Sequence, residues 1–464
     1  MDQFIGYHSE WNLGSPGGWD YQRITQEIGK VVWSKLASHL NLNIDLDFDH
    51  PMLFPVNGLV DMMVKMHRCR EGAYPGLIAV IAEEETLEDV VENQNLAARF
   101  DAIPGLTGAL AAPQTLALKN GRVSLDGRPV SVIFMDFNTD VLLNLHRKHN
   151  LSPLLQAVRE NRVLNPRGSE PINVKSMFEV LTDPQYKDCF HAETIARTPW
   201  TRQFYHRQTI GPDGEKIDDL IEWTRTHWDN LVLKPERGYS GKGVCVGRIH
   251  TDIDNIISTA LKAEDYIVQA KVPEKIWAQN LSGLDQKNRK IVTASVQTDF
   301  RCLFNGDGLL GFVGRYGGIP TNVGSGGGFQ PLALLRTPGD VGHAMTQICT
   351  AIEKMRYDDL KAIEELQQNM ALKNRFTYLL GPIKIALQPR LITFGQMHAI
   401  ADYCAKIWDD CKVLEKMWID GELDNMIKIE SEELEIARSQ PWGGAPAIFA
   451  SDGLFGFSCQ GLGD

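Results

Sequence analysis

Apolar residues recur at helical spacing from Tyr21 to Leu40, with Ile24, Ile28, Val31, Val32 and Leu36 on one face, and the pattern predicts a helix there. A second helix is expected from Gly58 to Cys69. Pro75 to Ala82 is a short continuous apolar run of the kind a buried strand shows, and an acidic helix is expected to start near Thr86. Between Leu116 and Phe137 two turn dipeptides, Asn120-Gly121 and Asp126-Gly127, separate apolar stretches, which predicts consecutive strands ending in the most apolar one, Val130 to Phe137. Helix and strand thus alternate through residues 21–150, as in an α/β unit.

The plan then changes. Residues 151–210 read as helices and loops, closed by the polar turn Gly211-Pro-Asp-Gly214. From Asn230 to about Gln330 strands and glycine loops dominate: Leu231 to Lys234, Val244 to Val246, Tyr266 to Val272, Val292 to Leu303 and Leu310 to Tyr316. Helical spacing returns at Val341 to Met370 and Gly395 to Trp418, and the glycine-rich stretch from Pro441 reads as a lid or an ordered tail. At the other end a strand-like piece, Phe4 to Trp11, runs into Asn12-Leu-Gly-Ser-Pro-Gly-Gly18. Four segments are therefore expected: 1–20, 21–150, 151–335 and a mostly helical 336–464. No internal repeat or low-complexity tract interrupts them.

Composition narrows the classes of function. The chain of 464 residues is 43% hydrophobic and 23% charged, close to ordinary globular usage, which excludes a disordered or fibrous protein. Its 47 basic residues against 59 acidic ones give a net charge of −12, a field that repels phosphate backbones and anionic lipids, so no nucleic-acid or membrane partner is expected. No apolar run approaches the ~20 residues of a membrane span. The first residues lack the basic and then apolar plan of a secretory signal. Eight scattered cysteines without a CxxC pair fit reduced thiols. A cytoplasmic location is expected.

The strongest local chemistry lies in Leu231-Val-Leu-Lys-Pro-Glu-Arg-Gly-Tyr-Ser-Gly-Lys-Gly-Val-Cys-Val-Gly247. Lys234 closes a strand where its ammonium can reach phosphate oxygens. In the loop Gly238-Tyr239-Ser240-Gly241-Lys242-Gly243 the glycines admit backbone N–H groups to a polyphosphate where a Cβ would clash. Neither GxxxxGK[ST] nor GxGxxG is present. Downstream, Tyr266-Ile-Val-Gln-Ala-Lys-Val272 is a strand suited to an adenine edge, with Gln269 near its end. If the strands of Thr298-Asp-Phe-Arg301 and Gly311-Phe-Val-Gly-Arg315 pair, Arg301 and Arg315 reach one pocket, beside Asn322 and its glycine loop. Two arginines suit charge spread over phosphoryl oxygens. Glu10 and Asn12, two apart on a strand, point to the same face and offer two oxygens to one Mg²⁺.

Taken together these residues resemble the ATP-grasp ligases, in the circularly permuted branch that includes glutathionylspermidine synthetase-like proteins. Ordinary members carry Glu-x-Asn with its Pro-Gly continuation last, whereas here Glu10-Trp-Asn12 and Ser15-Pro-Gly-Gly18 come first. Asn173-Val-Lys175 is similar to the first nucleotide lysine, and Pro199-Trp-Thr-Arg202 to a further segment of this branch. The resemblance covers residues 1–20 and about 160–330. It implies a permuted ATP-grasp fold of the α/β (α+β) class, with an α/β substrate domain and a helical C-terminal part.

The resemblance further implies ATP and Mg²⁺ as cofactors. Lys175 and Lys234 would hold the phosphates, the loop 238–243 would form a lid, and Gln269 and Val272 would line the adenine. Arg301, Arg315 and Asn322 would stand at the transferred phosphoryl, and Glu10 and Asn12 on the metal. The implied reaction joins a small-molecule carboxylate to an amine, such as an amino acid, small peptide or polyamine, through an acyl phosphate. The family also supplies an aspartate upstream of Glu-x-Asn, and here only Asp2 stands upstream. A phosphotransferase on the same nucleotide site and a non-catalytic nucleotide-binding protein are the alternatives. Trp11 and Trp200 are candidates to line the pocket.

Overall fold

A computed structural model of the chain describes residues 4–71, 75–238, 241–319, 321, 323, 326–378, 381–382 and 384–457. Its centre is a seven-stranded sheet whose order runs Ile5–Asn12, Phe449–Gly456, Lys290–Asn305, Gly308–Gly317, Gly328–Phe329 and Lys384–Ile385, with Ala278–Asp285 also paired to Lys290–Asn305. The first described strand and the last are antiparallel neighbours, and Glu10 stands opposite Asp452. Lys290–Asn305 meets Gly308–Gly317 on one edge and Phe449–Gly456 on the other.

Strand alternation divides this sheet into two chemistries. Phe300, Cys302 and Phe304 point to one face, opposite Gly453, Ser451 and Phe449, and the long helix Phe394–Ile419 packs there. Phe300 and Phe312 meet edge to face at 5.4 Å, and Trp408, Trp442 and Phe449 interlock at centroid distances of 4.7 to 4.9 Å. Each fully buried ring contributes about 1.5–3 kcal/mol through apolar burial alone. The other face carries charge.

A second sheet, wholly antiparallel, runs Cys245–Val246, Leu231–Pro235, Tyr266–Ala270, Thr201–Gln203. The helix Ile253–Ala263 closes one side of it through Ile257 and Ala260. A third sheet follows the α/β expectation for 21–150: Leu106–Ala111, Gly76–Ile81 and Arg128–Met135 are parallel, and Arg122–Leu125 and Ala117–Lys119 extend it by hairpins. At both hairpin turns the central pair is left-handed, with φ of 52° and 76° at Asn120-Gly121 and 51° and 75° at Asp126-Gly127. That is the geometry a two-residue turn demands of these residues.

Three expectations need correction. The acidic stretch near Thr86 forms only a short 3₁₀ turn, Glu84–Thr86, and the helix starts at Val91. It starts where buried apolar spacing starts, at Val91, Leu96 and Phe100. The run Val341–Met370 is two helices, Val341–Glu353 and Tyr357–Lys373. Residues 336–464 contribute helices, but Phe449–Gly456 is an inner strand of the central sheet rather than a lid or tail. No described helix is long and apolar enough to cross a membrane.

Candidate functional site

The charged face of the central sheet gathers the candidate residues from both ends of the sequence. Glu10 and Asn12 lie two apart on the first strand, Asp452 is opposite Glu10, and Arg301 is opposite Asp452. Asp299 and Arg315 face each other one strand further. Asp452 Oδ1 accepts from Arg301 Nε at 2.8 Å, while its Oδ2 accepts from Arg301 Nη2 at 3.0 Å and Arg315 Nη2 at 2.8 Å. Arg315 also donates to Asp299 through Nε at 2.7 Å and Nη2 at 3.0 Å, and Thr321 Oγ1 donates to the same carboxylate. Burial by itself would raise Asp452, but Arg301 and Arg315 pull it well below the usual carboxylate range.

The antiparallel sheet brings Lys234, and the turn before the helix Met177–Thr182 brings Lys175. Lys234 Nζ donates to Gln269 Oε1 at 2.8 Å and reaches Ser9 O at 3.4 Å. Lys175 Nζ donates to Gly238 O at 3.1 Å and stands 3.3 Å from Glu10 Oε1. Burial lowers Lys234 to about 8 against the pull of Glu10, and Lys175 adds to the lowering. At the loop base Gly238 holds φ 126°, a value side chains rarely take. Gly243, at φ 73°, is also sterically required, because a Cβ there would come within 2.8 Å of Pro235 Cγ.

The charged groups other than Lys175 line a cavity of about 570 Å³ between the two sheets and the carboxyl ends of the parallel strands. Val232, Val244, Val246, Ala270 and Val272 make one end apolar, and Lys234, Gly241, Arg301, Arg315, Glu10, Asn12 and Asp452 line the middle. The inner end is acidic, with Glu83 and Asp136 leaving adjacent parallel strands. Burial pushes Asp136 up to about 6, although Asn93 Nδ2 donates to it at 2.6 Å. Beside them Glu92 accepts from the N–H groups of Gly18 and Asp20 at 2.8 Å and Tyr21 at 3.2 Å. It thereby caps the helix Trp19–Leu40, where a carboxylate meets the positive helix end.

The residues fit a nucleotide and a divalent cation. Asn12 Oδ1 is buried and has no hydrogen-bond partner among the described residues, an oxygen free to ligate next to Glu10 and Asp452. Two carboxylates and an amide suit Mg²⁺, which keeps most of its shell for water and phosphate. Among the described residues no cluster of three or more His, Cys, Asp or Glu offers a rival metal site. Lys175, Lys234, Arg301 and Arg315 face Glu10, Asp299 and Asp452, so the positive surplus is small beside the charge of a triphosphate. A bound cation would make up the difference.

Not every expected residue reaches the cavity. Lys242 is exposed, and neither it nor Gly243 lines the cavity. Lys175 and Gly238 border a small adjoining recess with Glu10. Trp11 points to the opposite sheet face and borders only that recess, and Trp200 packs in the core of the antiparallel sheet. Tyr239, Ser240, Asn322 and Asp2 lie outside the described residues. A carboxylate that sequence reasoning did not single out is Asp452, which stands opposite Glu10 and lines the same cavity. Its one local trace is a lone charge in the otherwise uncharged run Phe449-Ala-Ser-Asp-Gly-Leu-Phe455, where Asp-Gly itself reads as a turn.

No family model matches the chain, and no curated protein matches it. Among solved structures, a D-cycloserine synthetase, DcsG, is similar at 10% identity and a TM-score of 0.26, covering 74% of this chain and 99% of that one. A gamma-glutamylcysteine synthetase candidate from Methylobacillus flagellatus KT is similar at 12% identity and a TM-score of 0.30, covering 79% of this chain and 100% of that one. Scores this low do not establish a shared fold.

Proposed function

We propose that the chain is an ATP- and Mg²⁺-dependent carboxylate–amine ligase of ATP-grasp type, in circularly permuted order. One observation carries the reading: Glu10, Asn12 and Asp452, from strands at opposite ends of the chain, share a sheet face with Arg301 and Arg315 and a cavity with Lys234. The pairing of the first and last described strands suits a permuted order of the Glu-x-Asn strand.

ATP, when bound, supplies the phosphoryl group that activates a carboxylate, and Mg²⁺ neutralises phosphate oxygens. The chain's own residues do the positioning. Lys175 and Lys234 hold phosphates, the valines at the apolar end take the adenine, and Glu10, Asn12 and Asp452 would hold the metal. Arg301 and Arg315 hold the substrate carboxylate and stabilise the charge that develops on the transferred group. The carboxylate oxygen would attack the γ-phosphorus of ATP, the bond from that phosphorus to the β–γ bridging oxygen would break and ADP would leave, giving an acyl phosphate. An amine then attacks its carbonyl carbon, and phosphate leaves with the bridging oxygen. The acidic inner end suits the amine partner.

The test is a phosphate-release screen with Mg-ATP and pooled carboxylates and amines. A ligase releases free phosphate in step with amide, only when both pools are present. Phosphate retained on an organic product would make the chain a phosphotransferase, and no turnover with any pool would contradict the reading.

A further inference from the structure

The run Pro199-Trp-Thr-Arg202 supplies no lining to the cavity, yet its threonine touches the lysine's support. Thr201 is fully buried on the outer strand of the antiparallel sheet, directly opposite Gln269, and Gln269 is opposite Val232. Thr201 Oγ1 donates its one hydrogen to Pro199 O at 2.8 Å. Toward Gln269 it therefore presents only lone pairs, and Gln269 Nε2 donates to it at 3.0 Å. A carboxamide that donates on one side turns its oxygen to the other. That oxygen accepts from Lys234 Nζ at 2.8 Å.

The direction of this chain is set at its far end. Were the carboxamide reversed, two N–H groups would face an ammonium, and Thr201 would meet an oxygen it has no hydrogen left to satisfy. Lys234 needs the acceptor because its charge is buried. The other charged groups facing it are Glu10 on the first strand, Asp452 on the last, and Lys175. Gln269 Oε1 is the neutral side-chain acceptor among its partners, with Ser9 O further off at 3.4 Å.

We infer that Thr201 is a positioning residue, acting through the Gln269 carboxamide to place Lys234 Nζ and keep it protonated for an anionic phosphate. The role in phosphate binding rests on the proposed nucleotide site. The effect on Lys234 itself does not, so the two can fail separately.

The experiment follows the Lys234 side-chain nitrogen by lysine-selective ¹⁵N NMR from pH 6.5 to 10.5, with Lys234→Ala to assign the signal. In Thr201→Val, which removes the hydroxyl and keeps the shape, the titration midpoint should fall by about one pH unit. In Thr201→Ser it should stay at the wild-type value. Gln269→Met should give the same fall, and the double variant no more. Thr201→Ala replaces the valine variant if that chain does not fold. A midpoint unchanged in Thr201→Val or Thr201→Ala overturns the proposal, as does a serine variant that falls as far as the valine one. Calorimetric titration with ATP reads the underlying site: about tenfold weaker binding is expected in Thr201→Val. Wild-type ATP affinity in Lys234→Ala would remove the nucleotide role while leaving the lysine titration to decide on Thr201.

Discussion

Glu10 lies directly opposite Asp452 across an antiparallel pairing of the first and last described strands, and each is tied to a cation: Glu10 to Lys175 at 3.3 Å, Asp452 to Arg301 and Arg315 at 2.8 Å. Directly opposed carboxylates repel. The arrangement holds because cations flank the pair, and a divalent ion between them would relieve it further.

Asp452→Asn therefore has a double effect. It removes the charge of one proposed metal ligand and leaves Arg301 with no carboxylate partner among the described residues. The Mg²⁺ concentration for half-maximal ATP turnover should rise at least about tenfold, read by titrating Mg²⁺ at saturating ATP. An unaltered titration would exclude Asp452 from the metal site.

Burial lowers the Lys234 ammonium to about 8. An anion prefers the protonated form, so ATP affinity should be highest below about 8 and weaken toward pH 9.5, by up to about tenfold per unit. Lys234→Arg keeps its charge throughout this range, so its affinity, whatever its absolute value, should be flat with pH. Parallel profiles for the two proteins would show that another group titrates.

How much of this was legible depended on which faces each segment buries. The hairpins at Asn120-Gly121 and Asp126-Gly127 were legible because turn chemistry is local. The strand carrying Glu10 was also legible, from residues two apart. Phe449–Gly456 was not: seven of its eight residues are buried, so it lacks polar–apolar alternation, and Asp452-Gly453 reads as a turn. Pairing across the whole chain length is a tertiary fact, and no local period encodes it. Spacing likewise places Lys242 in the glycine loop but does not say which side of the loop faces the cavity, and Lys242 does not line it.

Behind the site, His8 is a neutral core residue. Thr198 Oγ1 donates to Thr194 O at 2.6 Å, so it accepts from His8 Nε2 at 2.9 Å, which leaves Nδ1 to accept from Tyr403. Burial, and then Arg197, lower His8 to about 3. The unfolded chain binds this proton near pH 6.5, so stability is full above that value and falls with acidification, by up to about 1.4 kcal/mol per pH unit. Urea unfolding at pH 7.5, 6 and 5 should show a shallower fall in His8→Gln. Equal slopes would assign the acid sensitivity elsewhere.

Arg315 serves two aspartates at once through its planar fork, and a lysine cannot. Arg315→Lys should lower kcat by about 10²-fold while the KM for ATP changes little, because the adenine end and both lysines are untouched. A change confined to KM would place Arg315 in ground-state nucleotide binding instead.

The central claim, that a carboxylate is activated by phosphoryl transfer beside Arg301 and Arg315, is tested most directly by oxygen transfer. With carboxylates labelled by ¹⁸O in the carboxyl group, Mg-ATP and the amine pool, mass spectrometry of the released phosphate should find one ¹⁸O atom per phosphate, carried over from the acyl phosphate. Released phosphate without ¹⁸O, in the presence of amide product, would contradict the mechanism.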